Sequence, residues 1–344
     1  MSAATARARP AAALDGVLVV DKPTGPTSHD VVLAVRRITG ERRIGHAGTL
    51  DPMASGVLVL ALGRATRLVQ FLAASRKTYE AEVIFGVETD TWDAMGTVVA
   101  RRAVPGADAV TSEIHAPSCP DRWPAPDVLE HALARFRGSF DQVPPPFSAK
   151  KVAGARAYDL ARRAEPVVLR PARVTVYALG GEATGPGSAA LVLTCSPGFY
   201  VRSLAHDLGR ALGCGAHLSA LRRTASGAFG LADAVRLDDL TQPGVVARTL
   251  RPLEVLLPGW PAARLTAEGA GRVRHGAEVG PEALEEGAPE VDAAFEHGHG
   301  GRELPLDAGL PILVRLFAPD GLLLALARPS RPGLWPLRPA IVLR

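Results

Sequence analysis

Hydrophobic and polar positions along the chain follow two periods, and the switches between them mark out elements. The apolar run at residues 16–20 has strand length, and the Asp21-Lys22-Pro23-Thr24-Gly25-Pro26 after it is a turn by its Pro and Gly content. Val31, Val35 and Ile38 then fall at i, i+4 and i+7, one face of a helix capped by Thr27 or Ser28 and stopped at Gly40. A polar, Gly-punctuated loop over 41–55 feeds a buried strand at 56–62. A helix over 65–75 comes next. The strand at 77–85 sets Tyr79, Ala81, Val83 and Phe85 on one face.

Between 101 and 126 a Pro-rich stretch lacks periodicity and is expected as a surface insertion before a helix at 127–136. Strands are expected at 172–179 and 189–195, then a helix at 200–212 that Gly213, Cys214 and Gly215 end. Pro258-Gly259-Trp260-Pro261 has the composition of a linker. Beyond it lie a helix over 265–274 and strands at 312–317 and 321–327 around an Asp320-Gly321 turn, a small, mostly β, C-terminal unit. The pattern is α+β, with no internal repeat.

At 344 residues the chain exceeds one domain of roughly 100–200 residues, so a large domain plus a small one is expected. No apolar run approaches the ~18 residues of a membrane helix, and residues 1–12 carry Arg7 and Arg9 without the apolar centre of a secretory signal. Residues 1–13 are expected as a disordered tail. Cys119, Cys195 and Cys214 are odd in number and lack metal-binding spacing, which points to a reducing cytoplasm and no structural metal. The net charge of +4 is an average of unlike parts. Nine acids against Arg302 crowd 278–307, and the rest of the chain carries +12, which permits a polyanionic partner.

Candidate chemistry concentrates in Arg43-Ile-Gly-His46-Ala-Gly-Thr-Leu-Asp51-Pro-Met-Ala-Ser-Gly56. Pro52 pushes Asp51 toward an extended backbone and stiffens the turn that carries it. On spacing alone Asp51 is a turn starter or a catalytic acid, His46 a packed or a catalytic histidine, and Tyr79 a core residue.

The run Gly45-His46-Ala47-Gly48-Thr49-Leu50-Asp51-Pro52-Met53-Ala54-Ser55-Gly56 closely resembles the catalytic motif of the TruB family of tRNA pseudouridine synthases. Other motifs of that family follow in order. Val20-Asp21-Lys22-Pro23 with Thr27-Ser28 resembles the first; Lys77-Thr78-Tyr79 with Gly86 and Thr89 to Gly96 resembles the tyrosine strand. Pro145 to Lys151 with Gly154, Tyr158 and Ala161-Arg162 is similar to the RNA-contacting insertion. Cys195 to Leu204, Asp207-Leu208-Gly209, and Gly213 to His217 with Leu221-Arg222-Arg223 resemble the arginine motif and the pocket leucine. Five motifs cover most of 16–235.

The resemblance implies a pseudouridine synthase fold: a central mixed, mainly antiparallel sheet flanked by helices over 14–257, with an RNA-contacting insertion at about 141–171 beside the Pro-rich surface insertion at about 103–125. A PUA-like β-rich domain is implied at 262–344; the acidic stretch at 278–307 has no counterpart in the family pattern and is expected as a disordered insertion within it. The implied activity is isomerisation of uridine 55 in the TΨC loop of tRNA on a flipped-out base. Asp51 is then the nucleophile, acting on C1' or adding at C6, with Arg202 as its guanidinium partner. Tyr79 stacks on the base and removes a proton. His46 fills the space the flipped base vacates, Leu221 packs beside Tyr79, and Lys22 is mainly structural. Tyr200, Lys151 and Arg222 join the substrate-binding set. Arg42, Arg43, Arg156, Arg162, Arg163 and Arg223 are further candidates to grip phosphate.

No second carboxylate is expected beside Asp51, which argues against hydrolysis. A redox-neutral isomerisation needs no cofactor, and the stand-alone members imply a monomer with tRNA, no membrane and no obligate protein partner. A chain whose main contribution is folding tRNA is the alternative reading. A pseudouridine synthase with another RNA target is a third, although ribosomal enzymes carry Arg-Leu-Asp where this chain has Thr49-Leu50-Asp51.

Overall fold

The computed structural model describes residues 14–102, 124–148, 151–152, 155–156, 169–285, 313–331 and 334–343. The expected tail, nearly all of the first insertion, Cys119, Arg162, Arg163 and the acidic stretch from 286 onward lie outside the described residues. In chain order the elements are β1 (Gly16–Lys22), α1 (Ser28–Thr39), β2 (Ile44–His46), β3 (Ala54–Leu62), a 3-10 turn (Gly63–Leu68), α2 (Val69–Ala73), β4 (Lys77–Phe85), β5 (Val87–Thr89) and β6 (Val98–Arg101). Next are α3 (Pro126–Ala134), β7 (Gly138–Gln142), β8 (Lys151–Val152), β9 (Ala155–Arg156), β10 (Ala172–Gly185), β11 (Ser188–Cys195), α4 (Val201–Ala211) and β12 (Ala216–Ser226). The chain finishes with β13 (Phe229–Gly230), β14 (Val235–Arg236), α5 (Val245–Thr249), β15 (Ala262–Arg264), α6 (Ala267–Arg274), β16 (Val314–Phe317), β17 (Leu323–Arg331) and β18 (Leu334–Val342).

A sheet in the order β14-β1-β3-β12-β4-β11-β10-β7 forms the body, with β2 added to β3 and β13 to β12. Only β1 with β14 and β3 with β12 pair in parallel, so the sheet is mixed and mainly antiparallel, as the resemblance implied. Both faces are covered. Leu18, Val20, Leu58 and Leu60 join Val31 and Val35 of α1, Leu133 of α3 and Leu204 of α4 on one side. On the other, Val17, Val19, Val57 and Val59 meet Phe71 of α2, Leu256 and Trp260. Burial on both faces explains why β1 and β3 are unbroken apolar runs while β4 alternates.

Local signals set the helix that precedes the site. Thr27 caps α1 in a reciprocal arrangement with Asp30, and Gly40 ends it at φ 71°.

Four expectations are corrected. The loop at 41–55 contains β2 and the start of β3. The single helix at 65–75 is a 3-10 turn running into a five-residue helix. The 258–261 segment is no free linker: Trp260 is 4% exposed and meets Phe71 edge-on at 5.3 Å. The acidic insertion does not begin at 278, because Val279 is buried and bridges Leu337, and Ala283 is buried above Gly269 of α6.

The C-terminal unit is a four-stranded sheet, β15-β16-β17-β18, packed on α6. It is fastened to the body. Leu313, Leu323, Leu326 and Leu343 share the Trp260 core, Arg315 donates to the carbonyls of Leu256 and Trp260, and Arg64 pairs with Asp15 while reaching Leu343 O. Among the described residues no helix is long and apolar enough to cross a membrane.

Candidate active site

The loop joining β2 to β3 carries Asp51, and its backbone is held almost atom by atom. Ser28, the first residue of α1, accepts from Leu50 N at 2.8 Å and donates to Leu50 O at 3.0 Å. Lys22, with no exposed surface, donates to the carbonyls of Pro23 (2.8 Å) and Ala54 (2.6 Å), and lies 3.4 Å from Pro52 O. Gly25 N also donates to Pro52 O, and Ala54 N to Asp51 O. Arg223, 1% exposed, donates to Val57 O (2.7 Å), Gly48 O (3.1 Å) and Thr49 O (3.4 Å). These donors replace the sheet bonds that an irregular segment lacks, since a buried carbonyl left unpaired is costly. Gly48, at φ 119°, passes close to Arg223, and at Gly56 any Cβ would strike the Arg223 backbone.

Arg202, on the first turn of α4, grips Asp51 with both hands. Its Nε donates to Oδ2 at 2.9 Å and its Nη2 to Oδ1 at 3.1 Å. The remaining hydrogens go to Thr91 O and Phe147 O, both at 3.0 Å, and Asp93 Oδ2 lies 3.5 Å from Nη1. The guanidinium is almost fully buried, whereas the Asp51 side chain keeps 32% of its surface. That surface opens into a cavity of about 240 Å³.

Tyr79 and Lys77 from β4, Leu221 and Arg223 from β12, and Phe199 and Tyr200 from the turn before α4 wall the cavity. Burial pushes the Tyr79 phenol above its ordinary range, and the nearby Arg223 cation works against that shift. Tyr200 is displaced upward too, first by burial. Burial drives the Lys22 ammonium down from 10.5 to about 8, with the Asp51 charge opposing and Arg223 assisting. Lys77 donates to the carbonyls of Ala73 and Ser75.

Six of the residues expected at the site come together here: Asp51, Tyr79, Arg202, Leu221 and Tyr200 on the cavity, with Lys22 directly beneath the loop. His46 sits on β2 outside the lining; its Nδ1 is buried without a hydrogen bond, and burial holds its imidazole below the ordinary range. The backbone of Lys151 is in β8, and its side chain lies outside the described residues, as does that of Arg156. Arg42 and Arg43 are exposed.

Arg222 points away from the cavity and pairs with Asp21 through bonds of 3.2 and 2.9 Å. Arg223, expected on phosphate, is instead an almost fully buried clamp on the loop carbonyls that also walls the cavity. Strand parity carried the signal: residues 221 and 223 share one face of β12 and 222 takes the other. Beyond Arg202 a second carboxylate, Asp93, lies 3.5 Å from the guanidinium. It is buried, receives Thr91 Oγ1 at 2.7 Å and Met95 N at 2.9 Å, and does not line the cavity. Ser28 was missed as a site residue, since a serine at a helix start reads as a cap.

Residues 36–201 match the family model for the N-terminal domain of TruB family pseudouridylate synthases, and residues 202–258 the model for the tRNA pseudouridylate synthase B C-terminal domain. The boundary between the two matches falls inside α4, just before Arg202, so both contribute strands to one sheet. The tRNA pseudouridine synthase B of Thermobifida fusca is 42% identical over 329 residues, 93% of this chain and 96% of the relative. That of Solibacter usitatus is 46% identical over 266 residues, 76% and 85% of the two chains. Among solved structures, a chain of an H/ACA ribonucleoprotein bound to a substrate RNA containing 2'-deoxyuridine is similar at TM-score 0.64 and 23% identity, covering 96% of this chain and 86% of that one. A chain of an archaeal box H/ACA particle reaches 0.62 at 24% identity, with 96% and 86% covered. Both support the fold.

Proposed function

The chain belongs to the TruB family of pseudouridylate synthases, and from that premise we propose that it isomerises uridine 55 of the tRNA TΨC loop, with Asp51 as the nucleophile. Its relatives are enzymes named for tRNA pseudouridylation, so tRNA is the substrate class. The observation that carries the residue assignment is the Asp51–Arg202 pair. One carboxylate, oriented at both oxygens by a buried guanidinium, faces a small cavity that also contains a buried tyrosine.

The chemistry fits these parts. Breaking the C1'–N1 bond of uridine leaves electron deficiency at C1', which an anionic oxygen can meet; the same carboxylate serves addition at C6. The bonding pair leaves with the base, the base turns, C5 bonds to C1' and Asp51 is released. C5 then loses its proton and N1 gains one. Uridine and pseudouridine are isomers, so the balance closes without oxidant or reductant.

Water must be kept from C1' while the bond is open. The cavity is smaller than the ~300–1,000 Å³ of drug-sized ligand pockets, and Tyr79, Leu221 and Phe199 supply apolar walls. A base inside it has left its stack. Burial leaves Tyr79 as a neutral phenol that can stack on the base, and the adjacent Arg223 charge favours the phenolate if the phenol gives up its proton.

Release of tritium from C5-labelled uridine in a tRNA transcript tests the reading. Wild type should release label, and Asp51→Asn should release none while binding tRNA as before. An Asp51→Asn enzyme as active as wild type would remove Asp51 from the chemistry.

A further inference from the structure

Trp92 has an unusual backbone. Its φ of 63° lies in the left-handed region, which a bulky L side chain occupies only when its surroundings enforce it. Both neighbours serve Arg202: Thr91 O accepts from Nη1 at 3.0 Å, and the Asp93 carboxylate stands 3.5 Å from the same nitrogen. The left-handed turn between them lets a carbonyl and a side chain two residues apart converge on one guanidinium. Backbone bonds hold the rest of this loop to β12, from Leu218 N to Trp92 O (3.0 Å) and from Ala94 N to Leu218 O (2.9 Å).

The indole of Trp92 lies flat on the ring of His206, with centroids 4.2 Å apart and planes 8° from parallel. His206 is four residues after Arg202 on α4, so the two side chains leave the same helix face. Its Nδ1 is buried with no hydrogen-bond partner, and burial holds the imidazole below its ordinary range, a neutral ring at neutral pH. A neutral ring with a buried, unused nitrogen contributes here through its face. Neither aromatic lines the cavity.

We propose that Trp92 and His206 are positioning residues for the isomerisation: their stack clamps the 90–96 loop onto α4 and so holds Arg202, and through it Asp51, in reacting geometry. The inference rests on the reading of Asp51 as the reacting group. Thr91, Asp93 and His206 then act as a second tier behind the guanidinium, the first two contacting it directly and the third buttressing the turn between them. A loop that relaxed would free the Arg202 nitrogens to swing, and misplacement of reacting groups by about 1 Å can cost on the order of 100-fold in rate.

The test measures kcat and KM for tRNA by tritium release in wild type, Asp51→Asn, His206→Ala, His206→Phe, Trp92→Gly and the His206→Ala/Trp92→Gly double variant. His206→Ala is expected to lower kcat roughly tenfold or more with KM changed less than about twofold. His206→Phe, which restores a flat ring, should recover most of that loss. The double variant should be no slower than the slower single one, because the pair acts as a unit. Melting curves screen each variant for folding; if His206→Ala does not fold, Trp92→Tyr against Trp92→Leu makes the same comparison, with tyrosine near wild type and leucine slowed. Full kcat in both His206→Ala and Trp92→Gly, equal losses in His206→Ala and His206→Phe, or a loss confined to KM overturns the proposal. A wild type that releases no label defeats the functional reading instead. An active wild type with a silent Asp51→Asn upholds that reading, and the aromatic variants alone then decide the role of the stack.

Discussion

Ser28 Oγ bonds to both backbone atoms of Leu50, receiving from its N–H at 2.8 Å and giving to its carbonyl at 3.0 Å, one residue before Asp51. A hydroxyl that both donates and accepts is the smallest side chain able to do this. Ser28→Ala leaves two buried backbone groups without partners, each worth about 1–3 kcal/mol. Urea denaturation should show a stability loss of about 2–6 kcal/mol for the two together. Tritium release should slow as Asp51 loses its anchor, and unchanged stability would mean that water or a shifted backbone replaces the hydroxyl.

Lys22 makes a pH prediction whose sign is opposite to that of a surface ion pair. Burial lowers its folded value to about 8, against 10.5 when exposed. The unfolded chain therefore holds the proton over a window in which the folded chain has released it. Stability rises with pH wherever the unfolded state binds more protons, so this group's penalty is greatest below pH 8 and lifts as pH climbs toward 10.5. Lys22→Met should flatten the rise in unfolding free energy between pH 8 and 10, even though it lowers stability overall by removing donors from Pro23, Pro52 and Ala54. Above pH 10 the buried Tyr79 contributes a fall, since its folded value lies above its unfolded one. An identical slope in both proteins between pH 8 and 10 would refute the assignment.

Much of the fold was legible in hydrophobic period, and the failures have local causes. The bounds of β4 could be read because one face of that strand is apolar and the other polar. β1 extends two residues past its apolar run, through Asp21 and Lys22, because Lys22 is buried as a donor to carbonyls, which composition does not reveal. The helix expected over 65–75 is a 3-10 turn over Gly63–Leu68 followed by a helix over Val69–Ala73, and Arg64 in the turn is tied by backbone and side chain to Asp15. At the site, Asp51 stood out only through its motif, since Asp-Pro alone is a common turn. Arg223 was misread because arginine usually lies in solvent. The left-handed Trp92 and its stack on His206 join residues more than a hundred positions apart, and neither period nor motif encodes that meeting.

Replacing Arg202 with lysine separates charge from geometry. A lysine retains the cation beside Asp51 but supplies one nitrogen where the guanidinium serves two carboxylate oxygens and two carbonyls. Arg202→Lys should lower kcat at least about 100-fold. It should also destabilise the fold by roughly 1–3 kcal/mol through the carbonyls of Thr91 and Phe147 left bare. tRNA affinity, measured by filter binding, should stay close to that of wild type, because the guanidinium is buried. A variant of near-normal kcat would show that charge alone orients the carboxylate.

Trp260 decides whether the C-terminal sheet melts with the body or apart from it. A Pro-Gly-Trp-Pro segment would leave two independent units if it were a tether, and denaturation would then show two separated transitions. In the structure Trp260 is packed edge-on against Phe71, and its core joins Val17 and Val59 of the large sheet to Leu323 and Leu326 of the small one. Arg315 closes the same junction by binding the carbonyls of Leu256 and Trp260. Wild type should therefore unfold in urea with coincident midpoints by far-ultraviolet circular dichroism and by tryptophan fluorescence. Trp260→Ala empties the centre of the shared core, a change that costs about 3–5 kcal/mol in well-packed interiors. Its effect should be to lower the midpoint of the whole transition, since β1 and β3, which carry the large-sheet half of that core, also frame the loop of Asp51. A variant in which only the C-terminal sheet melts early, with tritium release intact, would show that the body does not need the junction and that the contact serves the small sheet alone.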